Sequence, residues 1–525
     1  MANKDVTDPV RMEKIVSLCK RRGLIFQAGE LYGGLNGCWD YGPLGVELKR
    51  NLKDYWWRKT VQERDDVLGM DGSILTMQQV LKSSGHLDGF SDPMADCLLS
   101  KARLRADQVP EQDGTAVWYS GAKMADGWST AREFAVLVAE GKDPASAKKV
   151  ARQYYAQFMP DKKVSPKVLE LIEDRQEEVK GTTRFNPENG SLLTEAKDFN
   201  LMFQTKMGAS ADDNDPNAIA FLRPETAQSI FVQYKNIHDS NRIKLPFGIA
   251  QVGKSFRNEI NPRNYTFRSR EFEQMEIEYF CHPDDGMRLT DEWLEARLCF
   301  YEEIGIPREK LHILDVPDGE RAFYSKKTYD IEYEFPFGIQ ELEGVAYRTD
   351  YDLGVHQEGS GRQLEYFDEE TKERFLPHVV EPSAGCDRTV LALICEAFDE
   401  EEITNEKGKT ETRTVMHFSP KVAPIKVGIF PLLKKNEEQV RIAKEIQKTL
   451  QPWMTVFYDE SGAVGRRYRR QDEVGTPYCV TVDFDTIGEN GEELKGTVTV
   501  RERDSMQQTR MKVEELLPWM LEQIR

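Results

Sequence analysis

The chain has 525 residues, of which 39% are apolar, 10% aromatic and 31% charged, too long for one ordinary core and too rich in recurring apolar segments for disorder. Its 71 basic against 90 acidic side chains leave a net charge of -19, which excludes an indiscriminate polyanion binder while leaving room for local basic patches. No uncharged apolar run reaches about 18 residues, residues 1–10 lack the apolar core of a secretory leader, and the eight cysteines (19, 38, 97, 281, 299, 386, 395, 479) form no Cys-x-x-Cys pair, so no membrane span or disulfide framework is expected and a cytoplasmic location is.

In chain order, residues 11–26 carry an amphipathic helical pattern, followed by the turn Tyr32-Gly33-Gly34-Leu35-Asn36-Gly37. Gly42-Pro43-Leu44-Gly45 opens a second helix running to about Arg64, with Val46, Leu48, Leu52, Trp56 and Trp57 on one face; that stripe reads as core or subunit contact, not as a cofactor box. Residues 126–180, with Phe134-Ala135-Val136-Leu137-Val138 and the stretch 166–179, read as an inserted helical subdomain interrupted by Gly141 and Pro144. From about 221 to 280 strands are expected, with a loop at Asn261-Pro262-Arg263-Asn264. The polar stretch 399–416 predicts a linker or exposed hairpin. Beyond it, strands at 425–430, 456–458, 478–484 and 497–500 and a helix at 437–450 predict an α/β domain of about 100 residues.

Four segments carry unusual charge chemistry. Phe256-Arg257-Asn258-Glu259, a loop, and 267–276 form a hairpin that places arginines and glutamates at alternate positions. Arginine forks match phosphate and a phenylalanine offers a base a stacking face, although a solvated, salt-bridged hairpin has the same pattern. Leu222-Arg223-Pro224-Glu225-Thr226-Ala227-Gln228 and Glu341-Leu342-Glu343-Gly344, the latter followed by Arg348, set carboxylates beside apolar positions, where a buried acid needs an internal arginine, a metal or a ligand ammonium. Glu381-Pro382-Ser383-Ala384-Gly385-Cys386-Asp387-Arg388 runs from strand to helix through small residues, permitting close ligand approach, with helix capping by Asp387 as the plainer reading.

In this order the segments resemble the class II aminoacyl-tRNA synthetases: a first helix-and-strand motif, an F-R-x-E hairpin and a G-x-D-R helix. Tyr41-Gly42-Pro43-Leu44-Gly45 and the stretches 222–228, 270–278 and 381–388 are similar to the glycine-specific branch, and the resemblance runs from about residue 10 to 525. It implies an α+β catalytic domain built on a six- or seven-stranded antiparallel sheet flanked by helices, with 1–125 its N-terminal part, 126–182 a helical insertion, 183–416 the remainder and 424–525 an α/β anticodon-binding domain. The absence of a G-x-G-x-x-G fingerprint or P-loop agrees with this.

Carried over residue by residue, the resemblance implies ATP as co-substrate, held by Arg257, Asn258, Glu259, Phe267, Arg268, Ser269, Arg270, Glu271, Phe272, Glu341, Leu342, Gly385, Cys386, Asp387 and Arg388. Arg257 would take the α-phosphate, Glu259 the adenine edge, and Phe272 and Arg388 the two adenine faces, with Arg257, Glu259 and Arg388 the catalytic set and Glu341 a contact for magnesium. Glycine would be gripped by Glu225, Glu276 and Ser383, with Arg105 on its carboxylate side and Phe272, Glu273, Gln274, Met275, Glu381, Pro382, Ala384 and Gly385 around it. Arg466, Arg467, Tyr468, Arg469 and Arg470 would meet tRNA(Gly). A homodimer, no membrane contact and no structural zinc are also implied, since Phe185-Asn186-Pro187-Glu188-Asn189-Gly190 lacks the cysteines of zinc-bearing relatives. Ser229 departs from the usual glycine. A non-catalytic accessory subunit on the same scaffold would lose Arg257, Glu259 or Arg388; a synthetase for threonine, proline or histidine would replace the acid pocket with zinc ligands or apolar residues.

Overall fold

The computed structural model describes residues 7–161, 163–208, 218–322, 324–404, 408 and 410–525. They divide into two compact units, 1–84 with 203–257 and 262–525, and 85–202 with 258–261.

In the first unit, α1 (Pro9–Arg22) starts where Asp8 Oδ1 accepts from the Arg11 amide at 2.9 Å, and stops at left-handed Gly23. The second helix, α2 (Pro43–Trp57), has proline at its first position and lies so close to Leu24 that a Cβ on Gly45 would stand 1.8 Å from the Leu24 carbonyl oxygen, so only glycine fits there. Then follow β1 (Val67–Gly69), α3 (Ala227–Asn241), β2 (Phe247–Phe256), β3 (Glu271–Cys281), α4 (Gly286–Ile304), β4 (Leu311–Asp315), β5 (Lys327–Phe335), β6 (Gly338–Thr349), α5 (Tyr351–Ser360), β7 (His378–Gly385) and α6 (Cys386–Ala397). The strands make one seven-stranded sheet in the order β4-β5-β6-β7-β3-β2-β1, antiparallel except for the β2–β1 pair. One face carries the main core, with Leu48, Leu52 and Trp56 of α2 against Met275, Ile277 and Tyr279. At one end of the other face a second cluster packs Ile230, Phe231 and Tyr234 of α3 and Leu353 of α5 on Phe247, Ile249 and Phe280. Glu276, Gln251 and Ser383 lie on that second face.

Helix α3 corrects the expectation of strands throughout 221–280. The strand Ile219–Leu222 ends before Arg223, and Ala227, Ile230, Phe231 and Tyr234 recur at helical spacing to bury one stripe.

The stretch 398–416 is a paired hairpin (Phe398–Thr404 with Thr410–Met416), of which 405–407 and 409 lie outside the described residues. The segment after it supplies β8 (Val427–Pro431), α7 (Glu437–Leu450), β9 (Val456–Tyr458), α8 (Val464–Val474), β10 (Tyr478–Val482), β11 (Thr497–Glu502), β12 (Gln508–Lys512) and α9 (Val513–Gln523). Its five-stranded sheet runs β9-β8-β10-β11-β12, parallel across the first three strands and antiparallel beyond. Arg413 of the hairpin reaches Asp472 of α8 at 3.0 Å, where Arg501 joins at 2.9 Å, in a buried triad.

The second unit corrects the helical insertion expected at 126–182. It begins at 85, and its core is a four-stranded antiparallel sheet in which Gln112–Lys123 pairs with Glu170–Thr182, Ser129–Thr130 and Phe134–Ala139, with the helix Ala147–Ala156 against it. Phe134 to Val138 is a run of five buried residues, too short for a helix and dry on both faces, as in an interior strand. Glu170–Thr182 is rich in helix formers, yet pairing along Gln112–Lys123 overrides propensity, and its exposed charges suit a sheet edge.

Candidate active site

Side chains alternate along β3. Register against β2 sets Phe272 opposite Ser255, Glu276 opposite Gln251 and Glu278 opposite Ile249 on one face, and Glu273 opposite Lys254 and Met275 opposite Val252 on the other. On the first face β7 adds Ser383 beside Glu276, β6 adds Gly344 beside Ser383, and β5 adds Asp330 beside Gly344. Among the described residues a Cβ at Gly344 would meet Asp330 alone, at 3.9 Å, which leaves open space over this position of the row.

Glu276 is 1% exposed and accepts from Ser383 Oγ at 2.8 Å, from the Gln274 amide nitrogen at 3.3 Å and from the Thr226 hydroxyl. Gln274 Oε1 is fixed by Ser255 Oγ at 2.7 Å and the Thr226 amide at 3.2 Å. Glu225, half-buried, takes the Gln228 amide at 3.0 Å. Arg348 reaches both Glu381 oxygens at 2.9 and 2.8 Å and both Asp352 oxygens at 2.7 and 3.0 Å, with its guanidinium 4.0 Å from the Tyr324 ring centre. Burial pushes Glu276 above the usual carboxylate range, and Glu225 adds to the shift. Burial raises Glu381 to about 8 against the pull of Arg348. The face is therefore short of positive charge and suited to a small cation.

Two arginines flank the start of β3. The Arg257 amide donates to the Arg270 carbonyl at 2.9 Å, its Nε donates to Pro224 O at 3.1 Å, and its guanidinium lies 5.3 Å from the Phe272 ring centre. Arg388 opens α6 three residues after Gly385, which pairs with Gln274; it contacts Phe267 through its carbonyl at 3.2 Å and its ring at 4.5 Å, and Glu341 at 3.1 Å. Arg223 threads over Gly253, where a Cβ would stand 2.2 Å from its guanidinium, and donates to Lys254 O at 2.7 Å and Gly72 O at 2.8 Å, fixing the turn into Glu225. Arg270 holds Asn36 O at 2.7 Å, Ser269 donates to Thr266 O at 3.3 Å, Arg268 bridges to Arg263, and Glu271 pairs with Lys254.

Several residues of these strands and of α6 expected at the ligands lie off the acid face. Strand alternation turns Glu273, Met275, Pro382 and Ala384 away from the acid face: Met275 and Ala384 join the main core, while Glu273 pairs with Lys49 at 2.6 Å and Lys53 at 3.0 Å. Leu342 and Cys386 are also core residues. Asp387 accepts from Lys49 at 2.7 Å, Tyr41 OH at 2.6 Å and the Glu273 amide at 2.7 Å. Against burial, which alone would lower it, Asp387 holds the Lys49 ammonium above its usual range. This network ties α2 to the residues preceding Arg388 and following Phe272, so Asp387 positions the site from behind. Arg105, Asn258 and Glu259 belong to the second unit. There Arg105 pairs with Asp107 at 2.5 Å and Asp92 at 3.0 Å, the Asn258 amide donates to Leu201 O at 2.6 Å, and Glu259 is buried.

In α8, Arg467 corrects its expected role at the surface. It is 2% exposed and donates to the carbonyls of Pro431 at 2.6 Å, Gly462 at 2.9 Å and Leu432 at 3.3 Å, because its helix position faces the end of β8. Tyr468 turns inward to Thr481 Oγ1 at 2.6 Å. Arg470 pairs with Asp459 at 2.5 Å, Arg469 lies 3.8 Å from Glu411, and Arg466 is exposed. Sequence reading missed Asp330, Glu278 and the place of Arg348 in the site. Their sequence signal is weak, because each strand carries other charges and alternation alone does not say which face is buried.

A mostly antiparallel sheet with an acid row on one face and two arginines flanking one strand end defines a class II tRNA synthetase catalytic core. A family model described as "tRNA synthetase class II core domain (G, H, P, S and T)" matches residues 204–398, and one described as "Anticodon binding domain" matches 426–523. Glycine–tRNA ligases of Rhodopirellula baltica and Clostridium perfringens are 44% and 45% identical, each over 96% of this chain and 98% and 97% of their own lengths. That of Clostridium acetobutylicum is 44% identical over 99% of this chain and its own full length. The chain belongs to the glycine–tRNA ligase family.

Proposed function

We propose that the chain activates glycine with ATP and passes it to the 3′ end of tRNA(Gly), and that the acid face of β3 and β7 is where glycine is recognised. A glycine carboxylate oxygen attacks the α-phosphorus; that P–O bond forms as the bond to the β-phosphoryl oxygen breaks and pyrophosphate leaves. A ribose hydroxyl of tRNA then attacks the glycyl carbonyl and AMP leaves. No enzyme nucleophile is required, so the protein contributes positioning and charge: Arg257 at the α-phosphate, Phe272 under adenine, and Arg388 over it near the γ-phosphate. Magnesium suits the acids beside Arg388, since burial together with Glu341 and Glu332 raises Asp330 to about 7; Glu341 and Asp330 would hold it, and it would neutralise phosphate charge.

The observation that carries the reading is Glu276, buried and fixed by Thr226, Gln274 and Ser383, in a row whose cationic neighbour Arg348 is already shared by Glu381 and Asp352. An apolar pocket gains only about 1–3 kcal/mol per methylene and cannot prefer glycine by attraction. Gripping the ammonium with charge while crowding the Cα can. ATP–pyrophosphate exchange with a panel of amino acids tests this: exchange with glycine alone is expected, and exchange driven by alanine or serine, or by none, overturns it.

The anticodon role of 424–525 is supported by the family match and by Arg466, Arg469 and Arg470 on α8. A homodimer is supported by apolar side chains around the turn before α2, with Leu31 88%, Tyr32 91% and Leu35 56% exposed; light scattering should give twice the chain mass. A cytoplasmic location is supported by eight cysteines that all stand as free thiols.

A further inference from the structure

Glu278 is 0% exposed, and among the described residues neither of its carboxylate oxygens has a hydrogen-bond partner. Carboxylate oxygens of Glu276, Glu278 and Glu381 lie within 4.8 Å of one another. Titratable and charged groups face this trio from the packed elements: Arg348 from β6, Asp352 from α5, Glu225 ahead of α3, and the neutral phenol of Tyr324 beside Arg348, while β2 presents Ile249 and Gln251. Arg348 is the facing cation, and Glu381 and Asp352 already occupy it.

Like charges this close and this dry cannot all ionise. Hydroxyl and amide donors hold Glu276 and the Arg348 guanidinium holds Glu381, whereas no described donor reaches Glu278, so Glu278 has the least to stabilise an anion. We propose that Glu278 carries a proton in the ligand-free enzyme and releases it when an amino acid's ammonium enters beside Glu276 and Glu381, so that glycine binding is coupled to proton release. The inference rests on the glycine-activating reading above. The balance is simple: a neutral carboxyl and an ammonium become a carboxylate–ammonium pair, and the proton goes to solvent. Burial first, then Glu381, pushes Glu278 above the ordinary carboxylate range, in the same direction as the missing donors and the crowded acids. The bound state holds fewer protons, so affinity rises with pH, up to about tenfold per unit for one proton.

The test is calorimetric titration of the full chain with a sulfamoyl analogue of glycyl-adenylate in buffers of different ionisation enthalpy, at about pH 6.5, below the usual α-amino range. Wild type should release close to one proton, and Glu278→Gln should lose that release and flatten the rise of glycine affinity with pH. No release by wild type, or the same release by the variant, overturns the proposal. Should the variant fail to fold, infrared difference spectra of wild type decide: a protonated-carboxyl band must disappear on analogue binding, and its persistence contradicts the coupling. Absence of glycine-dependent exchange sinks the activation reading, whereas normal exchange with proton-silent binding sinks this inference alone.

Discussion

Replacing Arg348 with methionine removes the cation from a dry network. The residue is 1% exposed and makes two hydrogen bonds to Glu381 and two to Asp352, between 2.7 and 3.0 Å. Taking one partner from a buried ion pair costs about 3–5 kcal/mol, because the opposite charge stays behind. Here two acids stay behind, but an acid can escape by protonation. Burial already raises Glu381 to about 8 with Arg348 present, so at pH 5.5 Glu381 is neutral with or without the arginine and the loss there sits near the lower end, about 3 kcal/mol. A carboxyl whose folded value exceeds its unfolded value of about 4.3 binds more protons when native, so stability falls as pH rises between the two. Urea unfolding followed by tryptophan fluorescence should show a loss of about 3 kcal/mol at pH 5.5 and a clearly larger one at pH 8.5. A loss under about 1 kcal/mol, in the range of an exposed pair, or one equal at both pH values, refutes the reasoning.

Arg257→Ala should cost roughly 3 kcal/mol of transition-state stabilisation in pyrophosphate exchange, with folding intact; near-normal exchange removes it from the catalytic set. Glu225→Gln should raise the KM for glycine by about tenfold, as expected for losing one hydrogen bond to a charged group, and leave the KM for ATP little changed. Asp330→Asn should weaken the magnesium dependence of exchange. It should also abolish a stability slope, because wild-type Asp330, raised to about 7 by burial and then Glu341, makes the ligand-free enzyme lose stability as pH climbs from about 4 to 7. Arg467→Met should lower the thermal midpoint by stranding the carbonyls of Pro431, Leu432 and Gly462, an effect that a surface contact to tRNA would not produce.

Local punctuation made much of the fold legible. Glycine and serine in 381–388 next to an apolar run announce the β7–α6 junction that carries Arg388, and the amphipathic spacing of 437–450 matches α7. Long-range pairing hid the rest. Glu170–Thr182 has helical composition and becomes a strand because Gln112–Lys123 is there to receive it. The division of 271–276 between two faces depends on strand period, so Glu276 belongs to the acid row while Glu273 serves Lys49. Nothing local shows that Arg348 is buried against Glu381, that Arg467 points into its own domain, or that Glu278 lacks a donor among the described residues. Those facts arise only when distant strands are brought into register.

The central claim is that acids on β3 and β7 grip an amine while arginines at the strand end hold the phosphate side. Calorimetry of the full chain with the sulfamoyl analogue of glycyl-adenylate, against the same molecule with a methyl group in place of the amine, tests it most directly. Deleting the amine should weaken binding by about 100-fold or more, as expected for losing at least two hydrogen bonds to charged groups at about 1.5–3 kcal/mol each. Equal affinity for the two compounds would contradict it.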